Sequence, residues 1–133
     1  MRALLLALAA APAAVPALGQ DIPRLSTFPV ITEGLINTAI AYEVDRVCDE
    51  LGGRFIIGLA FLNSLRAYAR DQGASEEEIE AYIDNRPERD RLEAIARGRL
   101  RDMGAVEGQP ATYCAVGRAQ IAADSPIGRL LYD

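Results

Sequence analysis

Arg54 to Gly73 reads RFIIGLAFLNSLRAYARDQG, and the character assigned to this stretch settles what the rest of the chain must be. From Phe55 to Leu62 the residues are apolar or small with no polar interruption. Leu65 and Tyr68 then continue at helical spacing, while Arg66, Arg70, Asp71 and Gln72 fill the other side. The pattern predicts a helix over Phe55 to Gln72 that is buried all round at its start, buried on one face at its end, and central to the fold. The apolar run is far shorter than the roughly 20 residues needed to cross a bilayer. A short buried strand is the other plain reading, but nothing flanking it reads as a second strand. Gly73 stands where a helix C-cap glycine belongs, and Arg54 is expected to be a partly buried helix-start residue paired with a carboxylate.

Working outward, Asp21 to Ile31 carries Pro23 and Pro29 without a period and reads as a lead-in loop pinned by Leu25 and Phe28. Thr32 is the expected N-cap of a helix whose apolar face is Ile36, Ile40, Val44, Val47 and Leu51. Gly52-Gly53 ends that helix. Downstream, Ser75-Glu76-Glu77-Glu78 is a capping box with an acidic first turn that complements the helix dipole. Read as a metal site it would fan its carboxylates over different faces and lacks EF-hand spacing. Ile79, Tyr82 and Ile83 form the inner face of this short helix, which Asn85-Arg86-Pro87 interrupts. The next helix, Pro87 to Met103, has the stripe Leu92, Ile95, Ala96, Leu100 and Met103, with Gly104 as its stop. A last helix from Pro110 or Ala111 carries Tyr113, Cys114, Gly117 and Ile121, and Asp124-Ser125-Pro126 leads to a final turn with Ile127, Leu130 and Leu131 inward. With strand signals nearly absent, the fold class is all-α: a small single-domain bundle of about five helices stapled by one disulfide. Gly58, Gly98, Gly117 and Gly128 fall where helix is predicted, at about 1 kcal/mol each relative to alanine, so close helix approach is the expected compensation and a ligand-lined cleft the alternative.

The first residues stand apart. Met1-Arg2, the Ala/Leu run Ala3 to Ala11 and the small residues Ala17 and Gly19 read as a signal peptide over 1–19, cleaved before Gln20, leaving one helical domain over 20–133 and a periplasmic location. Cleavage after Ala17 and an uncleaved anchor are the alternatives; no membrane span is expected after cleavage. The formal charge of −5 becomes −6 once Arg2 is removed, which argues against nucleic acid as a partner. Every basic residue is Arg, and there is no His and no Trp. The two cysteines, Cys48 and Cys114, are a single well-separated pair in an exported chain, so a disulfide is expected. Two free thiols, or one nucleophilic thiol, are the alternatives, and the latter lacks the usual His base.

These residues resemble a family of small exported alphaproteobacterial proteins known only as a domain of unknown function. The resemblance rests on Ile36-Asn37, Cys48, Arg54, Ala60 to Leu65 (AFLNSL), Ser75 to Ile83 (SEEEIEAYI), Tyr113-Cys114 with Gly117, and Ser125 to Leu131 (SPIGRLL). It covers essentially the whole chain after residue 19. It implies an exported, disulfide-bonded protein and brings no catalytic residues with it.

Three function classes remain. A non-catalytic binding or interaction module is the leading one, with an envelope protein or a small anionic ligand as partner. Its candidate contact is Arg89, Arg97 and Arg101 on a helix dense in arginine, whose plain reading is a solvated face with pairs such as Arg89 with Glu93 and Glu93 with Arg97. An acid- or envelope-stress chaperone-like protein is the second, since acidification would neutralise the carboxylates and leave the arginines charged. A small enzyme using carboxylates is the third: Asp45 and Asp49 lie one turn apart, as do Arg46 and Glu50, but on the polar side of their helix. With no His, no Gly-rich phosphate loop and no inward Glu-x-x-His pair, no catalytic, cofactor-binding or metal residues are assigned and no cofactor is expected.

Overall fold

The computed structural model describes residues 22–133, so the signal peptide expected over 1–19 and its cleavage before Gln20 lie outside the described residues. Five α-helices follow one another: α1 Pro29–Val47, α2 Phe55–Asp71, α3 Glu76–Ile83, α4 Arg86–Asp102 and α5 Pro110–Ala122. Two short strands, β1 Gly52–Gly53 and β2 Leu131–Tyr132, pair antiparallel, and 3₁₀ turns cover Arg24–Thr27 and Gly128–Leu130. The all-α class with five helices and one disulfide is what the sequence predicts.

The centre is α1, not α2. Ile36, Ile40 and Val44 step along α1 at helical spacing and are buried together with Leu51, Leu92, Ala96, Leu100, Val116 and Leu131 from the elements around it. Helices α2, α4 and α5 all pack on α1. A smaller cluster of Leu25, Ile31, Ala69, Ala74 and Ile79 closes the other end, with the Phe28 ring edge-on to Tyr68 at 6.2 Å. In α2 only Leu65 and Ala69 are buried. Phe55 and Ile56 are 76% and 74% exposed, Ile57 and Leu59 45% and 48%, and Leu62 38%. The expected all-round burial of this helix is therefore corrected. The uninterrupted apolar run made the helix, but α1 and the 3₁₀ turn at Gly128–Leu130 cover only part of it.

Local chemistry sets the boundaries. Pro29 occupies the first turn of α1, where its missing N–H costs nothing, so the helix starts ahead of the predicted Thr32 cap; the Thr32 hydroxyl instead donates to the Ser26 carbonyl at 2.9 Å. The Ser75 hydroxyl accepts from the Glu78 amide at 3.1 Å, as a capping box requires, but Glu78 turns its carboxylate to Arg24 rather than back to the cap. Asn85 caps α4 through the Glu88 amide at 2.9 Å. Gly73 and Gly104 end α2 and α4 in the left-handed region, φ +87° and +108°. Arg54 finds no carboxylate among the described residues. Its amide donates to the Leu130 carbonyl and its Nε to that of Leu131, both at 2.8 Å, tying the start of α2 to the C-terminal strand.

The cysteines pair. Cys48, just past α1, is bonded to Cys114 in α5 across a sequence separation of 66, both residues in the core. Closing a loop of that length stabilises the fold by about 4 kcal/mol through chain entropy. The glycines divide. A Cβ on Gly117 would press on Leu51 and Val44, and one on Gly128 on the Gln120 backbone, so close approach explains both. A Cβ on Gly58 would meet nothing within 4 Å, and one on Gly98 only the Arg101 guanidinium at 3.8 Å, so close approach explains neither.

Candidate functional site

The half-covered α2 leaves a groove. Helices α2 and α4 flank α1 without packing closely on each other, and α1 floors the space between them with Leu35, Thr38, Ala39 and Tyr42. Leu59 and Leu62 form one wall and Leu92 and Ala96 the other, while Ile79, Tyr82 and Ile83 of α3 close one end. The cavity measures about 670 Å³, within the range of sites that hold small molecules or partner side chains. Sequence periodicity explains each wall: positions 59, 62 and 66 of α2, and 89, 92, 93, 96 and 97 of α4, recur at three and four residues and share a helical side.

Charge is confined to the rim and is largely paired there. Arg66 reaches Glu80 at 2.8 Å, Arg97 lies 3.8 Å from Glu93, and Glu43 takes Arg46 at 2.7 Å. At the α3 end, Glu88 is 5% exposed, and its carboxylate accepts two bonds from Arg91 at 2.8 Å, one from the Ser26 hydroxyl and one from the Tyr82 hydroxyl at 3.3 Å. The Arg91 guanidinium holds the Glu88 carboxyl below its ordinary range against the opposing effect of burial, and burial pushes the Tyr82 hydroxyl up. A carboxylate so fully bonded is a structural anchor rather than a proton carrier. Every buried side-chain oxygen and nitrogen among the described residues has a hydrogen-bond partner. The groove thus offers a largely apolar surface edged by charged side chains.

Of the three arginines singled out in the sequence, Arg89 and Arg97 line the groove and Arg101 does not. The expected Arg89–Glu93 pair does not form; Arg89 donates to the Ile83 carbonyl at 2.9 Å, capping the end of α3. The Glu93–Arg97 pair does form. Arg91 and Arg99 are taken up by Glu88 and by Glu33 of α1, so much of the arginine density of α4 binds this helix to its surroundings. Of the carboxylates considered for catalysis, Asp45 accepts from the Gly53 amide at 2.9 Å and Glu50 pairs with Arg118. Among the described residues no three acidic or cysteine side chains converge where a cation would sit.

Sequence reasoning missed the groove because it assigned Leu59 and Leu62 to the core. The signal that marks them is available: eleven uncharged residues, Phe55 to Leu65, on a helix that only a few neighbours could cover.

Residues 23–132 match the Family of unknown function (DUF5333), and the chain belongs to that family. No curated protein and no solved structure matches it.

Proposed function

We propose that this member of the DUF5333 family is a non-catalytic binding module, exported to the periplasm, whose groove between α2 and α4 takes the apolar side chains of a segment of an envelope protein. The observation that carries this reading is the pair Leu59 and Leu62, open to solvent over a floor supplied by α1. An amphipathic segment laid along such a groove buries its apolar stripe, and a rim of mixed charge, Arg66, Arg89 and Arg97 with Glu43 and Glu93, meets its polar edges. The buried disulfide and the absence, among the described residues, of a helix long and apolar enough to cross a membrane support the exported reading.

Site-specific photo-crosslinking in the native envelope tests it. A benzophenone side chain at Leu62 should give a discrete adduct with another protein. The same group at Asp84, outside the groove, should give none, and Ala39→Trp, which fills the floor, should abolish the Leu62 adduct while leaving the circular dichroism spectrum unchanged. Equal labelling from both positions, or labelling indifferent to Ala39→Trp, would remove the groove from the reading.

A further inference from the structure

The groove accounts for one side of α2 only. At 100° per residue, Leu59, Leu62 and Arg66 point toward α4, whereas Ile56, Ala60 and Ala67 lie along the side turned away from α1. All three of these are exposed, and Phe55 and Ile57 flank Ile56 at the start of the helix. We infer that this outer face of α2 is a homodimer interface, on which a second copy of the chain packs its own α2 in antiparallel fashion about a twofold axis near Ala60.

Area is the first argument. At roughly 150–250 Å² for a large apolar side chain, the exposed fractions of Phe55, Ile56 and Ile57 amount to about 400 Å². One side of a standard interface buries about 800 Å² and, in homodimers, is about two-thirds apolar. The face therefore supplies most of the apolar part of one half-interface, and Ala60 and Ala67 extend it along the helix. Charge is the second. The chain carries a formal −5, so two copies repel each other over most of their surfaces, yet Phe55 to Leu65 bears no charge at all. An uncharged face is where two like-charged copies meet without opposing ions, and a twofold contact requires only that the patch complement itself. A membrane surface fits less well, because the basic residues on the polar side of α2, Arg66 and Arg70, are paired with Glu80 and Glu76, and an acidic chain is repelled by anionic lipid.

Sedimentation equilibrium of the disulfide-bonded protein, residues 20–133, tests the inference. The expected result is a reversible dimer in the micromolar range, weakened by more than about tenfold in Ile56→Glu, as for loss of a central contact. Should Ile56→Glu fail to fold, Ala60→Cys keeps the question open to measurement: beside the twofold it should give an intermolecular disulfide under mild oxidation, whereas Asp84→Cys should not. A monomer throughout the concentration range, or no preference for the Ala60→Cys crosslink over Asp84→Cys, overturns the inference. So does a monomeric protein that floats with phosphatidylglycerol vesicles through Ile56, which would assign the face to lipid. The groove reading survives any of these results, since Ala39→Trp addresses it separately.

Discussion

Helices α1 and α2 lie side by side in opposite directions, with Gly34 against Leu65 at one end and Asp45 against Gly53 at the other, yet they have opposite fates. The apolar residues of α1 are interrupted by Thr38, Glu43 and Asp45, and those at Ile36, Ile40 and Val44 are buried. The apolar residues of α2 run on without interruption through its first half, and most of them face water. An interrupted stripe states which side of a helix has a neighbour. An unbroken run states only that no side is committed to solvent, and a chain this short has too few other elements to surround a second helix after surrounding the first. The excess apolar surface is then available for contacts outside the chain.

The strongest test of this contrast removes the covalent tether at the end of α1. Cys48→Ser should lower stability by about 4 kcal/mol, with wild type in reductant matching the variant in urea melts. An unchanged midpoint would mean that α1 does not depend on its link to α5. Next come matched truncations. Ile40→Ala, in the core of α1, should cost about 3 kcal/mol, while Ile56→Ala, studied below the dimer range, should stay within about 0.5 kcal/mol; equal losses would break the contrast outright.

The glycines sharpen it through opposite signs. Gly34→Ala places a Cβ 2.9 Å from the Leu65 methyls and should cost about 1–2 kcal/mol. Gly58→Ala meets nothing and should instead gain somewhat under about 1 kcal/mol from helix propensity. A stabilised Gly34→Ala would show that the two helices separate without loss.

Another effect depends on pH and concerns how the groove is held from the α4 side. The Glu88 carboxyl is depressed by Arg91, so the stability it brings is present above the ordinary glutamate value of 4.5 and is lost as pH falls through the lower folded value. Glu88→Gln should therefore cost about 1–2 kcal/mol at neutral pH, and the gap to wild type should close on acidification, followed by denaturant melts at each pH. A gap constant with pH would show that the bond geometry, not the charge, matters. The same titration bears on the acid-stress alternative, which is abandoned if the wild type stays folded and monomeric at about pH 2.

Much of the fold was legible because local rules wrote it: Ser75 as a cap, Gly73 and Gly104 as stops, the stripe Ile36, Ile40, Val44, and the pairing of the two cysteines. Pro29 could have moved the start of α1 to its observed place, since proline is favoured in a first turn. The pairing of Gly52–Gly53 with Leu131–Tyr132 was not legible, being too short to leave a period and joining distant residues. The groove was out of reach for a related reason. Periodicity names the sides of α2 and α4, but the gap between them depends on how each one leans on α1, which no single helix encodes.

That strand pair also sets an order of events. Leu131 is fully buried, Gly52 lies against the Tyr132 ring, and Arg54 is held by the carbonyls of Leu130 and Leu131, so α2 gains its anchor only when residues some 77 positions later have arrived. A nascent chain that has delivered α1 to α4 but not Tyr132 lacks both the lock on α2 and the second cysteine's setting, with its apolar run uncovered. Closure is thus a long-range, late step of high contact order, and a chain arrested before it would display the sticky helix without the clasp that orients it.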